Sequence, residues 1–289
     1  MTDLFSRTVL GSALGFSMAI FAAGCGGSDT GSGGTGGTTQ TGGTGGTGGM
    51  TTTGGGGTGG MTTTGGGGSG GAPAPEFAVL VRGPLFTSDM AMAMEKHDAI
   101  AGGGEAMAKA AGDIAHKVFL GTTELGTTEN EFLAMDRWTD PMAMKTFYEN
   151  PDLQAAFGTL FSGPPSFDAF QRQPTWHTWG DIKSGEAATP HYWVVVRGHL
   201  AEADAAKAQA AHDAVAGGGE AAATGAGDMA HIVFTGLADP REFLAVDIWE
   251  STDNMAALYT NPDFQAAFGA LFDAPPTLGV YGSTDWHQW

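Results

Sequence analysis

The chain has 289 residues, with 31 acidic side chains against 12 basic ones and a formal charge of −19. Every charged residue except Asp3, Arg7 and Asp29 falls after residue 75. The acidic balance therefore belongs to the part that folds, and it argues against nucleic acid or anionic lipid as a partner for that surface. A single cysteine, Cys25, leaves no intrachain disulfide to form.

Residues 1–24 read as a signal peptide: Arg7 precedes an apolar run that is short for a bilayer span and ends in small residues. The stretch Ala22-Ala23-Gly24-Cys25 resembles the bacterial lipobox. That resemblance implies a lipid on Cys25, hence the bilayer as a partner. Gly26 after the cysteine, rather than aspartate, implies the outer membrane. Half of residues 26–75 are glycine and most of the rest threonine. A polar coil of that length spans roughly 40 Å, so residues 25–75 are expected to be a disordered tether.

From residue 76 the sequence repeats itself. "FAVLVRG" (77–83) returns as "YWVVVRG" (192–198), "HDAIAGGGEA" (97–106) as "HDAVAGGGEA" (212–221), and "GDIAHKVFLG" (112–121) as "GDMAHIVFTG" (227–236). "EFLAMDRW" (131–138) returns as "EFLAVDIW" (242–249), and "WHTW" (176–179) as "WHQW" (286–289). Two units follow, 76–185 and 190–289, read as a tandem duplication. The offset drops from 115 to 111 across "GTTELGTTEN", which is predicted to be a surface loop able to absorb an insertion.

Each unit changes its period in the same order. A β-rich run (77–82) leads into a helix over about 88–100, expected to stop at Gly102-Gly103-Gly104 because glycine is costly inside a helix. A short helical piece follows, then two strands, "IAHKVFLG" and "EFLAMDRW". Helical "PMAMKTFYE" and "DLQAAFGTLF" come next, restarted around Pro151, and a last strand covers about 166–171. The order is βαββαβ, the ferredoxin-like arrangement of an α+β fold.

A tryptophan closing the third strand, then a helix, then Asn-Pro-Asp-x-Gln-Ala-Ala-Phe resembles the antibiotic-biosynthesis-monooxygenase group of the dimeric α+β barrel superfamily. The resemblance implies two ferredoxin-like sheets closing one barrel, here supplied by a single chain. A four-stranded sheet covers one face with its helices, and its bare apolar face needs a partner. Haem-degrading relatives bind iron through a histidine at the position of Phe157 and Phe268, and use a tryptophan where this chain has Phe147 and Leu258. Neither group is present, so no cofactor is expected.

Strand alternation places Phe243, Ala245, Asp247 and Trp249 on one face and Leu244, Val246 and Ile248 on the other. A hairpin turning near Asp239-Pro240 sets His231 opposite Asp247 and Met229 opposite Trp249; the same logic sets His116 opposite Asp136. The face carrying His, Asp, Trp138 and Trp249 is expected to line the barrel interior, with Leu133, Met135 and Arg137 under the helices. An Asp-oriented imidazole can act as a base or hydrogen-bond donor. It can equally be a satisfied buried pair that fixes strand register. Arg82 and Arg197, at the ends of the first strands, are candidate ligand contacts. His97 and His212 are read either as C-terminal caps of the first helices or as ligand contacts at the barrel mouth. His177 and His287, between tryptophans, are assigned to aromatic packing. No histidine pair has the i, i+4 spacing of a metal site, so no metal is expected. The resulting expectation is an envelope lipoprotein whose barrel binds a small apolar or aromatic molecule, with no obligate protein partner. The two alternatives are a cofactor-independent monooxygenase using His116–Asp136 or His231–Asp247, and a non-catalytic surface-interaction protein.

Overall fold

The computed structural model describes residues 75–184 and 190–289. The signal-like segment, Cys25 and the glycine-rich stretch lie outside the described residues.

The first half runs β1 (Phe77–Pro84), α1 (Met90–Ala111), β2 (Asp113–Gly121), β3 (Glu131–Trp138), α2 (Pro141–Tyr148), α3 (Pro151–Gly158) and β4 (Ser166–Arg172). The second runs β5 (Tyr192–His199), α4 (Ala205–Gly225), β6 (Asp228–Gly236), β7 (Glu242–Trp249), α5 (Thr252–Tyr259), α6 (Pro262–Gly269) and β8 (Thr277–Ser283). Each half forms a four-stranded antiparallel sheet. β2 pairs with β8 and β4 with β6, which closes one eight-stranded barrel in the order β1-β3-β2-β8-β5-β7-β6-β4. Three residue pairs make each of these two joints, so closure covers part of each sheet edge that would otherwise expose unpaired backbone. The fold is the tandem ferredoxin-like α+β barrel.

Local sequence sets the helix starts. Asp89, Asp204, Asp140, Asn150 and Asn261 each accept two backbone N–H bonds as N-caps. Pro141, Pro151 and Pro262 occupy first-turn positions, where no N–H is needed. The glycine triplets do not end the first helices. α1 and α4 continue through them, because the flanking alanine-rich turns are strong helix formers held down on the sheet. α1 stops instead at Gly112, whose φ of 103° only glycine adopts readily. The triplets leave room for the chain that crosses them: a Cβ on Gly217 would stand 3.5 Å from the His177 ring, and one on Gly102 4.0 Å from that of His287.

The predicted hairpin register holds at its centre, with His116 opposite Asp136 and His231 opposite Asp247. It fails at the strand start. A β-bulge lies between Asp228 and Ala230, so Asp228, not Met229, faces Trp249; the same irregularity sits between Asp113 and Ala115. The extra residue puts both aspartates on the same face as Trp138 and Trp249, and they are buried.

The face assignment is reversed. Leu80, Leu133, Met135, Trp193, Val246 and Ile248 belong to one cluster drawn from both halves, which fills the barrel interior. The opposite face, with Ala134 and Trp138 in the first half and Ala245 and Trp249 in the second, lies under the helices. Both strand faces are apolar, so alternation separates them without saying which is which. The deciding feature is the helix face: Ala93, His97 and Ala108 of α1, and Ala208, His212 and Ala223 of α4, are buried. A histidine buried in mid-helix needs a polar partner on the strands beneath, and only the His–Asp face offers one. His97 and His212 are accordingly not terminal caps. Arg137 points to the interior end of the barrel, held by Glu76 at 2.7 and 2.9 Å.

The segments after β4 and β8 cross between the halves. Trp179 exchanges backbone hydrogen bonds with His231 (3.2 and 2.9 Å), and Trp289 does the same with His116 (3.2 and 2.9 Å). The closing segment of each half thus covers the other half's histidine pair. The longer loop of the first half is more than a free insertion: Thr127 accepts a hydrogen bond from the Val280 backbone at 2.7 Å, and Leu125 packs on the outer cluster of the second half.

Candidate functional site

In the second half, α4 lays His212 over β6, and the Nε2 atoms of His212 and His231 stand 3.1 Å apart. Their rings are nearly parallel, at 11°. His212 Nδ1 meets Asp213 Oδ1 at 3.1 Å, and His231 Nδ1 meets Asp247 Oδ1 at 2.5 Å. The other Asp247 oxygen accepts from the Tyr259 hydroxyl. Trp179 stacks on His231 with centroids 4.7 Å apart. The first half repeats the chain through Asp98, His97, His116, Asp136 and Tyr148, with 3.0 Å from Asp98 to His97 and 3.1 Å between the histidines. Trp289 takes the stacking position at 4.6 Å.

Burial followed by the neighbouring imidazole pushes His97 and His212 down to about 4, so both are neutral near pH 7. Burial, then the Asp247 charge, pushes Asp228 up to about 9; burial and Asp136 push Asp113 up to about 8. Burial raises Asp213, but the His177 N–H and the His212 bond outweigh it and leave the carboxyl below its usual value.

These charge states constrain the protons. Neutral His212 donates Nδ1–H to the Asp213 carboxylate, which leaves its Nε2 bare. Two bare nitrogens cannot face each other at this distance, so the bridging proton sits on His231 Nε2.

A cavity of about 50 Å³ opens beside this chain. His212, His231, Asp228, Asp247 and Tyr259 contribute to its wall; Trp179, Trp249, Leu258, Phe264 and Phe268 make most of the rest. The indole N–H groups of Trp179 and Trp249 are buried without a hydrogen-bond partner among the described residues. Phe268, at the position where the resemblance would place an iron ligand, is part of this apolar wall. A phenyl ring and a cavity of this size do not fit a haem.

The sequence-predicted residues divide accordingly. His116, Asp136, His231, Asp247, His97, His212, Trp138 and Trp249 all gather between sheet and helices, not inside the barrel. Arg82 and Arg197 do not join them. Both sit toward the ends of the barrel and are bound by carboxylates, Arg82 to Glu131 at 3.5 Å and Arg197 to Asp168 at 2.7 Å. Sequence reasoning missed Tyr148 and Tyr259, Asp113 and Asp228, and the crossing Trp289 and Trp179. The signal was present for all three pairs, since each occupies equivalent places in the two repeats, but only the three-dimensional crossing shows where they meet.

No family model matches the sequence, and no curated protein matches it. Among solved structures, a candidate monooxygenase from Fusobacterium nucleatum subsp. nucleatum superposes with a TM-score of 0.51 at 7% identity, covering 75% of this chain and 99% of that one. An anthrone oxidase-like protein superposes with a TM-score of 0.50 at 19% identity, covering 74% and 92%. These are likenesses of fold.

Proposed function

We propose that this chain binds a small, largely aromatic or apolar molecule in the helix–sheet cavity of its second half, and that lipid on Cys25 holds it at the cell envelope, in the outer membrane. The observation that carries the binding reading is the cavity wall itself, aromatic and aliphatic with a few converging polar groups. The buried N–H groups of Trp179 and Trp249 favour a ligand bearing an acceptor oxygen. A second reading, cofactor-independent monooxygenation, is supported by the Asp247-held His231 at the same wall and by a fold shared with the two proteins above. In that reading the His231–Asp247 pair takes a proton from the ligand, and the carbanion formed reacts with dioxygen.

The test is calorimetric titration of phenol, a single ring with an acceptor oxygen, into the full chain. Saturable binding is expected, and Leu258→Trp, which fills the cavity, should abolish it without loss of fold. Equal binding by parent and variant, or none by the parent, contradicts the proposal. His231→Ala separates the readings: turnover lost with binding kept supports oxygenation, and unchanged turnover removes it. The envelope location predicts that Cys25→Ser moves the chain out of the membrane fraction; if it stays, the lipid is not the anchor.

A further inference from the structure

The two histidines of each half are arranged for more than holding a strand in place. A register-fixing strut needs one His–Asp pair, and the helix histidine adds a second buried imidazole at a desolvation cost that a leucine would avoid. What the second ring adds is continuity. In the second half, hydrogen bonds run unbroken from Asp213 through His212 and His231 to Asp247 and Tyr259. Exposure is concentrated at one end: the Asp213 side chain is 32% exposed, whereas His212 is 3%, His231 11% and Asp247 7%. The outer carboxylate is held in place by the backbone N–H of His177 at 2.6 Å. The inner carboxylate lies on the cavity wall.

We propose that this hydrogen-bonded chain is a proton relay between solvent at Asp213 and the cavity at Asp247. The proposal deepens the reading of the cavity as a reaction or binding site, since it supplies the path by which a proton given up by a bound molecule leaves. The transfers balance. His231 starts as an imidazolium, with Nδ1–H on the Asp247 carboxylate and Nε2–H on His212. It passes the Nε2 proton to Nε2 of His212, His212 passes its Nδ1 proton to Asp213, and Asp213 releases it to water. The Asp247 carboxylate takes one proton from the cavity, so one proton enters and one leaves. Afterwards His212 Nε2–H donates to a bare His231 Nε2, so the bond between the rings is kept with its direction reversed, and the bond from His212 Nδ1 to Asp213 is restored when Asp213 takes up a proton from water and donates it back. A ring-to-ring bond that can run in either direction is what a wire requires and a strut does not. Asp228, beside Asp247, is the other titratable group facing the inner end, and Glu220, bound to His177 at 3.0 Å, stands at the outer end.

The test needs no ligand, so its failure is distinct from failure of the binding reading. In the full chain labelled with ¹⁵N-histidine, solvent exchange of the His231 Nε2–H is compared with that of the buried Ile232 and Val233 amides. The relay predicts faster exchange at the ring than at those amides. His212→Gln can keep a hydrogen bond to His231 but cannot pass a proton through, and it should lose that excess, bringing the ring to the amide rate. Asp213→Asn, at a partly exposed position, should do the same and decides the matter if the first variant does not fold. Equal ring and amide exchange in the parent, or fast exchange kept in a folded variant, overturns the proposal.

Discussion

Replacing Asp247 by alanine is expected to destabilise the chain by about 3–5 kcal/mol, the usual cost of breaking a buried charged pair from one side. Asp247 is 5% exposed and holds two groups at once, the His231 ring and the Tyr259 hydroxyl. Removing it leaves both without their partner between sheet and helices, where water does not replace the carboxylate. Asp247→Asn should cost less, because the amide oxygen still accepts from Tyr259 while the charge is lost. Asp136→Ala should behave like Asp247→Ala, since it holds His116 and Tyr148 in the same way. Urea denaturation of the three variants measures this. A loss below about 1 kcal/mol, the range of an exposed ion pair, would mean the pair is not buried as described.

The second large effect is a loss of stability in mild alkali. Asp113 and Asp228 carry pKa values of about 8 and about 9 in the folded chain against an ordinary 3.8. The folded state therefore holds protons that the unfolded chain releases, and stability from these groups is complete below about pH 4 and lost as pH rises through 8 to 9. His97 and His212 act in the opposite sense. Their values of about 4 lie below the ordinary 6.5, so their contribution is present above pH 6.5 and lost as pH falls toward 4. Between pH 4 and 6.5 the two effects oppose one another; above 6.5 only the aspartates remain. Melting temperature should therefore fall between about pH 6.5 and 9. The double variant Asp113→Asn, Asp228→Asn, which mimics the protonated carboxyls, should flatten that limb. An unchanged slope in the double variant would show that these carboxyls are ionised in the folded chain.

Much of the architecture was legible because it is written twice. The same order of elements in both units predicts two ferredoxin-like sheets, and a hairpin turning at Asp239-Pro240 is enough to pair His231 with Asp247. The direction of that pair was not legible. Phe243, Ala245 and Trp249 are as apolar as Leu244, Val246 and Ile248, and no period tells the barrel interior from the helix-covered side. The bulge at Asp228 escaped for a related reason: one inserted residue leaves the alternation on either side intact while changing which side chain faces Trp249. The glycine triplets misled because propensity is a weak prior against packing. α4 passes through Gly217-Gly218-Gly219, and Gly217 makes room for the His177 ring. Tyr259 and Trp179 reach the site from a later helix and from the other half's closing segment, and local sequence carries no record of such a crossing.

The histidine–aspartate pairs lie between sheet and helices, each covered by the closing segment of the opposite half. Nuclear Overhauser contacts from the His231 ring measure this directly. Contacts to the rings of Trp179 and His212 are expected; contacts instead to Val246, Ile248 or Trp193 would place the pair in the barrel interior and overturn this arrangement.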